Sequence, residues 1–313
     1  MARKKRGRPI NGWLVVDKPE GMTSTQLLSK VRWLTGAEKA GHGGTLDPLA
    51  TGVLPIAFGQ ATKTVSYVMD GTKHYRFRAR WGEERTTDDR EGTITATSDQ
   101  RPCEAEIRDA LPRFTGTVEQ MPPQFSALKV NGERAYNLAR AGEVVALEPR
   151  LVRIDRLTLL DCPDPDHADL EVICGKGTYM RSLARDIGKA LGCYGHVAAL
   201  RRLAVGRFTL EQAISLDEIE ALGQGPGIDD HLLPVATALD DIPALALTVA
   251  EAHQLRQGQP VALLRRQDLE RLEKLAEACT GSNFILLATN VGRPVALARL
   301  EGADICPVRI FNQ

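Results

Sequence analysis

Residues 41–56 read Gly41-His42-Gly43-Gly44-Thr45-Leu46-Asp47-Pro48-Leu49-Ala50-Thr51-Gly52-Val53-Leu54-Pro55-Ile56, with four glycines, two prolines and one carboxylate among apolar residues. Such a segment is a shaped loop. Glycines at 41, 43 and 44 permit positive φ or the close approach of another molecule, and Pro48 biases Asp47 away from the helical region. A loop therefore presents Asp47. The run from Gly52 to Gly59 then reads as a short buried strand, which fixes the carboxylate at the rim of a rigid core. An Asp-Pro pair alone is most often only a turn, because aspartate commonly bonds its own backbone there. The rest of the chain has to raise it above that.

On the N-terminal side, Gly12-Trp13-Leu14-Val15-Val16-Asp17-Lys18-Pro19 is a β-rich apolar run ending in a turn and reads as a central strand. Pro19 to Ser24 supplies turn residues and capping hydroxyls. Leu27, Leu28, Val31 and Leu34 follow at helical spacing, so a helix over about 24–35 ends at Gly36. On the C-terminal side, Tyr75, Phe77, Ala79 and Trp81 alternate with Arg76, Arg78 and Arg80, the pattern of a half-buried strand. Residues 86–95 form a polar loop leading into another strand. A helix from about 104 to 111 stops before Pro112.

Residues 120–152, with a diproline at Pro122-Pro123 and a hairpin signal at Asn131-Gly132, resemble a protruding arm more than a core. Residues 151–160 and 169–174 read as strands, with 161–167 as the turn between them. Met180, Leu183, Ala184, Ile187 and Leu191 share one helix face, with Gly192 as the stop. Arg181 sits at the start of that helix, where the macrodipole disfavours a cation, so it is placed to meet an anion or a carboxylate. The tract from Gly195 to Phe208 reads as a loop or short helix running into a strand. From about Thr248 the pattern changes to a short helix, a Gly-x-Pro turn and strands at 284–288 and 295–300, with an inserted helix over 264–280.

The 313 residues suffice for two domains, and 43% hydrophobic with 26% charged residues argues for a soluble globular chain. No apolar run approaches membrane-spanning length, and the basic N-terminus lacks the apolar stretch of a secretory signal, so a cytoplasmic protein is expected. The six cysteines are scattered without a Cys-x-x-Cys pattern and read as ordinary buried thiols. His167 and His196 complete no ligand cluster with them, so no metal is expected. Forty basic and forty acidic residues cancel, leaving local patches at residues 3–8, at Arg150 and Arg153, and at Arg201-Arg202. Each patch, taken separately, reads as solvated surface.

The segment from Gly41 to Pro55 resembles the signature loop of the tRNA pseudouridine-55 synthases of the stand-alone bacterial type. The resemblance extends through Val16–Ser24, the Tyr75 strand, Phe125–Arg140, Gly177–Leu183 and His196–Gly206, over about the first 210 residues. Periodicity supports only an α+β chain. The resemblance implies the pseudouridine synthase fold, a mixed and largely antiparallel sheet flanked by helices, plus a small C-terminal PUA-like β-rich domain. The implied organisation is a basic arm over 1–9, a catalytic domain over 10–246 with its arm at about 120–152, and an RNA-binding domain over 247–313.

The resemblance further implies isomerisation of a uridine in the tRNA T-loop, reached by flipping the base, with no cofactor. The family's essential aspartate maps onto Asp47, its active-site tyrosine onto Tyr75, and the arginine that pairs with the aspartate onto Arg181. Tyr179 and Leu200 match positions lining the uracil pocket, though both could be plain core residues. His42 matches the histidine that enters the T-loop, and Lys18 supports the loop. The implied partner is the tRNA T-stem-loop, with neither membrane nor obligatory protein partner and a monomeric state. Two alternatives stay open: a guide-RNA-dependent synthase, and a noncatalytic tRNA-binding or tRNA-folding protein.

Overall fold

The computed structural model of the protein describes residues 7–126, 147–223, 226–263 and 285–312, with the backbone of 129–130 and 133–134. Two sheets organise the described residues. The larger is built from β1 (Gly12–Lys18), β2 (Ala40–His42), β3 (Ala50–Phe58), β4 (Lys73–Trp81), β7 (Gly116–Gln120), β10 (Arg150–Asp164), β11 (His167–Cys174), β12 (Gly195–Val205), β13 (Phe208–Thr209) and β14 (Ile214–Ser215). Its order is β14-β1-β3-β12-β4-β11-β10-β7, with β2 paired to β3 and β13 to β12. Only β1–β14 and β3–β12 are parallel, so the sheet is mixed and largely antiparallel. Short ladders join β5 (Glu83–Arg85) to β6 (Ile94–Thr97), and β8 (Lys129–Val130) to β9 (Glu133–Arg134).

Helix α1 (Ser24–Thr35) starts at Thr23, whose hydroxyl accepts from the Gln26 amide in a reciprocal capping box, and ends at Gly36 with φ 64°. Leu27, Val31 and Leu34 pack on Val16, Leu54, Ile56 and Phe58. Helix α2 (Val65–Asp70) precedes β4, and α3 (Glu104–Ala110) runs into a 3-10 turn that absorbs Pro112. Helix α4 (Met180–Ala190) lays Met180, Leu183, Ala184 and Ile187 against Phe77, Ala79, Leu170 and Val172. The strand pattern of β4 holds: Phe77, Ala79 and Trp81 are buried, while Arg76 and Arg78 pair outside with Glu171 and Asp169 on β11.

Four expectations need correction. β1 is buried except at half-buried Asp17 but lies next to the sheet edge, because only the two-residue β14 flanks it; apolar composition reports burial, not rank in the sheet. Residues 161–164 are not a turn: β10 continues to Asp164, pairing Asp161 with Asp169 and Asp164 with His167, so the reversal is confined to 165–166. The Gly195–Phe208 tract is not a loop or helix but is mostly β12, gripped between β3 and β4. Its Ala-Ala-Leu-Arg-Arg-Leu-Ala run favours helix locally, and pairing on both edges overrides that preference. Of the cysteines, Cys174 and Cys193 are buried, whereas Cys103 is exposed and Cys162 and Cys306 are half-buried. Cys279, the expected helix over 264–280 and the Asn131-Gly132 turn lie outside the described residues. The ends of the expected arm are sheet, since Gln120 pairs with Arg150 and Val118 with Val152.

Helix α5 (Leu216–Leu222) ends at Gly223, and the chain then reaches the second sheet, ordered β15 (Ala244–Ala246), β17 (Ile285–Asn290), β18 (Arg293–Glu301), β19 (Asp304–Ile310) and β16 (Val261–Ala262). Helix α6 (Val249–Arg256) buries Ala252 and Leu255 in its core. A shared core of Trp13, Val15, Phe208, Leu287, Leu297 and Phe311 joins the two sheets. Leu297 is fully buried in that core. Leu297→Ala should therefore cost about 2–5 kcal/mol of unfolding free energy by chemical denaturation. Loss should appear at both sheets, because the cavity opens between them.

Candidate active site

The loop between β2 and β3 is tied down from both sides before it presents Asp47. Ser24 on α1, 1% exposed, accepts from the Leu46 amide at 2.8 Å and donates to the Leu46 carbonyl at 3.1 Å. The Gly21 amide donates to the Pro48 carbonyl at 2.8 Å, and the Gly43 amide to that of Pro55 at 2.7 Å. Gly44 has φ 124°, and a Cβ at Gly43 would lie 2.7 Å from Val68. These two glycines thus meet the two demands a loop of this shape makes, whereas Gly41 has ordinary room. Ser24→Ala would strand a buried amide and carbonyl. It should cost about 1–3 kcal/mol in a denaturant melt and slow turnover by loosening the loop.

Lys18 is fully buried and donates to the carbonyls of Pro19 (2.8 Å), Pro48 (3.2 Å) and Ala50 (2.7 Å), so it braces the stem of the same loop. Burial pulls its ammonium down to about 8, while Asp47 and Glu20 pull it back up. Asp47 itself opens on a cleft of about 520 Å3 whose walls include Tyr75, Tyr179, Arg181, Leu200 and Arg202.

Arg181, 4% exposed, donates from Nη2 to Asp47 Oδ1 at 3.1 Å, and its Nε lies 2.9 Å from Oδ2 but out of line for a hydrogen bond. Its Nη1 donates to the Thr87 carbonyl at 3.1 Å and faces buried Asp89 at 3.5 Å, and Nη2 also reaches the Phe125 carbonyl at 2.9 Å. The first-turn arginine of α4 therefore does meet carboxylates. Desolvation pushes the Asp47 carboxyl above the ordinary carboxylate range, with Arg181 opposing and Asp89 adding to the push.

Tyr75 projects from β4, and burial raises its phenol above the usual value. Tyr179 caps α4, held by Gln120: its amide donates to Gln120 Oε1 at 2.8 Å and its carbonyl accepts from Nε2 at 3.1 Å. Leu200, on β12 opposite Phe77, is 7% exposed. Asp47, Tyr75, Arg181, Tyr179 and Leu200 are thus brought to one cleft. His42 is not: it ends β2 opposite Ile56, half-buried and outside the cleft lining.

Arg202, read from sequence as part of a solvated patch, is 1% exposed. Its neighbour Arg201 keeps the expected character, pairing with Asp17 at 2.7 Å with its side chain 41% exposed. Adjacent strand residues point to opposite faces, so one of two consecutive arginines had to enter the interior once the tract became strand. Asp89 and Gln120 are likewise buried polar residues: Gln120 is held to distant Tyr179, and Asp89, which accepts locally from the Thr87 hydroxyl and the Glu91 amide, meets its cation only in distant Arg181. Among the described residues, no group of three or more His, Cys, Asp and Glu is placed to hold a metal ion.

The model of the TruB family pseudouridylate synthase N-terminal domain matches residues 32–180, and that of the tRNA pseudouridylate synthase B C-terminal domain matches 181–240. The chain is 55% identical over 311 residues to the tRNA pseudouridine synthase B of Bradyrhizobium diazoefficiens, covering 97% of this chain and 87% of that one. The chain belongs to the TruB family of pseudouridylate synthases. A second TruB family relative, the tRNA pseudouridine synthase B of Rhodospirillum rubrum, is 54% identical over 312 residues, covering 100% of both chains. Among solved structures, a Cbf5-Nop10-Gar1 complex matches with TM-score 0.70 and 23% identity over 96% of this chain and 84% of that chain. An H/ACA RNP bound to a substrate RNA containing 2'-deoxyuridine matches with TM-score 0.73 and 21% identity over 100% of this chain and 92% of that one. Those two likenesses concern the fold, which is the one expected for the TruB family. The second sheet begins at Ala244, beyond both matched segments.

Proposed function

We propose that this protein isomerises a uridine of tRNA to pseudouridine, at the T-loop position that the resemblance implies. The single observation that carries the reading is the Arg181–Asp47 pair at the floor of a cleft that Tyr75 also lines, in a chain 54–55% identical to tRNA pseudouridine synthase B from two organisms. The reaction breaks the N1–C1′ bond, turns the uracil and joins C5 to C1′. The proton lost from C5 balances the one gained at N1, so no cofactor is called for.

Asp47 sits beside the anomeric carbon, where its carboxylate traps or stabilises the electron-poor sugar or serves as a base. Arg181 aims it and carries its counter-charge. Tyr75 lies against the displaced uracil and takes part in removing the C5 proton; Tyr179 and Leu200 close the base pocket. His42, one edge strand away, fills the space in the T-loop that the extracted base leaves. Lys18 keeps the loop in shape.

The second sheet acts as a PUA-like RNA-binding unit. In support, cations converge at its junction with the larger sheet: Lys63, in the turn after β3, donates to the Ile310 carbonyl at 2.6 Å, and burial lowers its ammonium with help from Lys39 before β2 and Arg309 on β19. The protein works alone, as a monomer in the cytoplasm. The full-length 54% identity to a tRNA-acting enzyme against 21–23% to the ribonucleoprotein subunits favours this over guide-dependent action. The test is incubation with unmodified tRNA and mapping of pseudouridine at single-nucleotide resolution. Conversion of one T-loop uridine without added RNA or protein is expected. A requirement for guide RNA, or binding with every uridine unchanged, would overturn the reading.

A further inference from the structure

Arg202 stands on β12 directly opposite Tyr75 on β4 and, on its other side, opposite Gly52 on β3. Cross-strand partners present their side chains to the same face. The guanidinium donates from Nε to the Val53 carbonyl at 2.8 Å, from Nη1 to that of Thr45 at 3.3 Å, and from Nη2 to that of Gly44 at 3.3 Å. Gly52 has φ 101°, and any Cβ there would strike the Arg202 backbone, so the glycine allows the two strands to close around this side chain. Among the described residues Arg202 makes no ion pair with a carboxylate, although it lines the cleft that Asp47 and Tyr75 share. A buried cation held only by neutral carbonyls is costly. Loop bracing alone does not require a full charge.

We infer that Arg202 is a positioning residue for the isomerisation, holding the loop that carries Asp47 with one part of its guanidinium and setting its charge against the phenol of Tyr75 with the other. The inference rests on the proposed role of Tyr75. Once C5 has bonded to C1′, the C5 proton leaves to the tyrosine oxygen, the C–H electron pair restores the ring double bond, and the proton balance closes at N1. A phenolate accepts that proton better than a phenol, and a guanidinium alongside favours the phenolate. The charged or titratable groups facing Tyr75 are Asp47 from the loop, Cys174 from β11 and Arg202 from β12, with Lys73 two residues away on its own strand. Arg181 is taken up by Asp47 and Asp89. Arg202 is thus the cation of this set that directly opposes the tyrosine.

The test places 3-fluorotyrosine at position 75 of the full-length protein and follows its fluorine titration in the unsubstituted, Arg202→Lys and Arg202→Met proteins, alongside kcat and KM on unmodified tRNA. The titration should move to higher pH in Arg202→Met and stay near the unsubstituted position in Arg202→Lys. kcat should fall about 10²-fold or more in Arg202→Met, in line with loss of assisted proton transfer, with partial recovery in Arg202→Lys and little change in KM. Should Arg202→Met not fold, Arg202→Gln, which keeps hydrogen-bond donors for the loop carbonyls but not the charge, takes its place under the same criteria. Titration unmoved in Arg202→Met, or equal loss of kcat in both variants with the lysine protein's titration displaced upward, would overturn it. If the unsubstituted protein leaves tRNA unchanged, the proposed function fails instead, and the two failures are told apart.

Discussion

Asp47→Asn should make no pseudouridine above about one part in a thousand of the unsubstituted rate, the scale on which a positioned acid–base group acts, while tRNA binding stays within a few fold. The asparagine keeps the shape of the side chain, so the loop braced by Ser24, Lys18 and Gly21 keeps its path. What is lost is the charge. Arg181 would then face a neutral amide, and the sugar would have neither a trap nor a counter-ion. Single-turnover assay with pseudouridine mapping checks the chemistry, and filter binding checks the affinity. Turnover within tenfold of the original protein would remove Asp47 from the mechanism.

The same residue predicts a pH dependence whose sign follows from its setting. Desolvation raises the Asp47 carboxyl above its ordinary value, so the ionised form is lost on acidification earlier than an exposed aspartate would lose it. The kcat profile should therefore show an acid limb lying above the usual aspartate range near pH 4. An acid limb at or below that range would contradict the account of the cleft.

Arg181→Met should cost more stability than any other single change at the site, about 3–5 kcal/mol, and abolish turnover. Its guanidinium faces two carboxylates, Asp47 and Asp89, and satisfies the carbonyls of Thr87 and Phe125. Removing it leaves buried Asp89, the carboxylate of Asp47 at the cleft wall and two carbonyls without their donor. Arg181→Lys restores the charge but not the planar fork that reaches separate partners. It should recover part of the stability and little of the rate. Urea melts and single-turnover kinetics on the three proteins check this ordering; a methionine variant as stable as the original would show that the carboxylates are compensated elsewhere.

Much of the site was legible because its signals are local. Gly43, Gly44 and Pro48 announce a shaped loop around Asp47, alternation over 75–81 puts Tyr75 on the inward face of a strand, and an arginine in a helix's first turn calls for a carboxylate. Arg202 carried no such mark. In a tract with helical propensity it looked like half of a basic surface pair, and only the pairing of β12 with β3 and β4 turned it inward. Gln120 and the pairing of Asp89 with Arg181 were missed for a related reason: Tyr179 and Arg181 lie 59 and more residues away, and the local bonds of Asp89 to Thr87 and Glu91 mark only a turn.

The chain's own residues, read in order, determined the loop, the amphipathic helices at about 24–35 and from Met180 to Leu191, the alternating strand at 75–81 and the family resemblance. These depend on backbone preference and periodicity, which act over a few residues. The tertiary structure alone decided which strand lies at the centre of the sheet, that the two sheets share the core around Trp13 and Leu297, and which of two adjacent arginines is buried. Those outcomes depend on what each segment packs against, and burial is a property of the assembled fold rather than of any stretch within it.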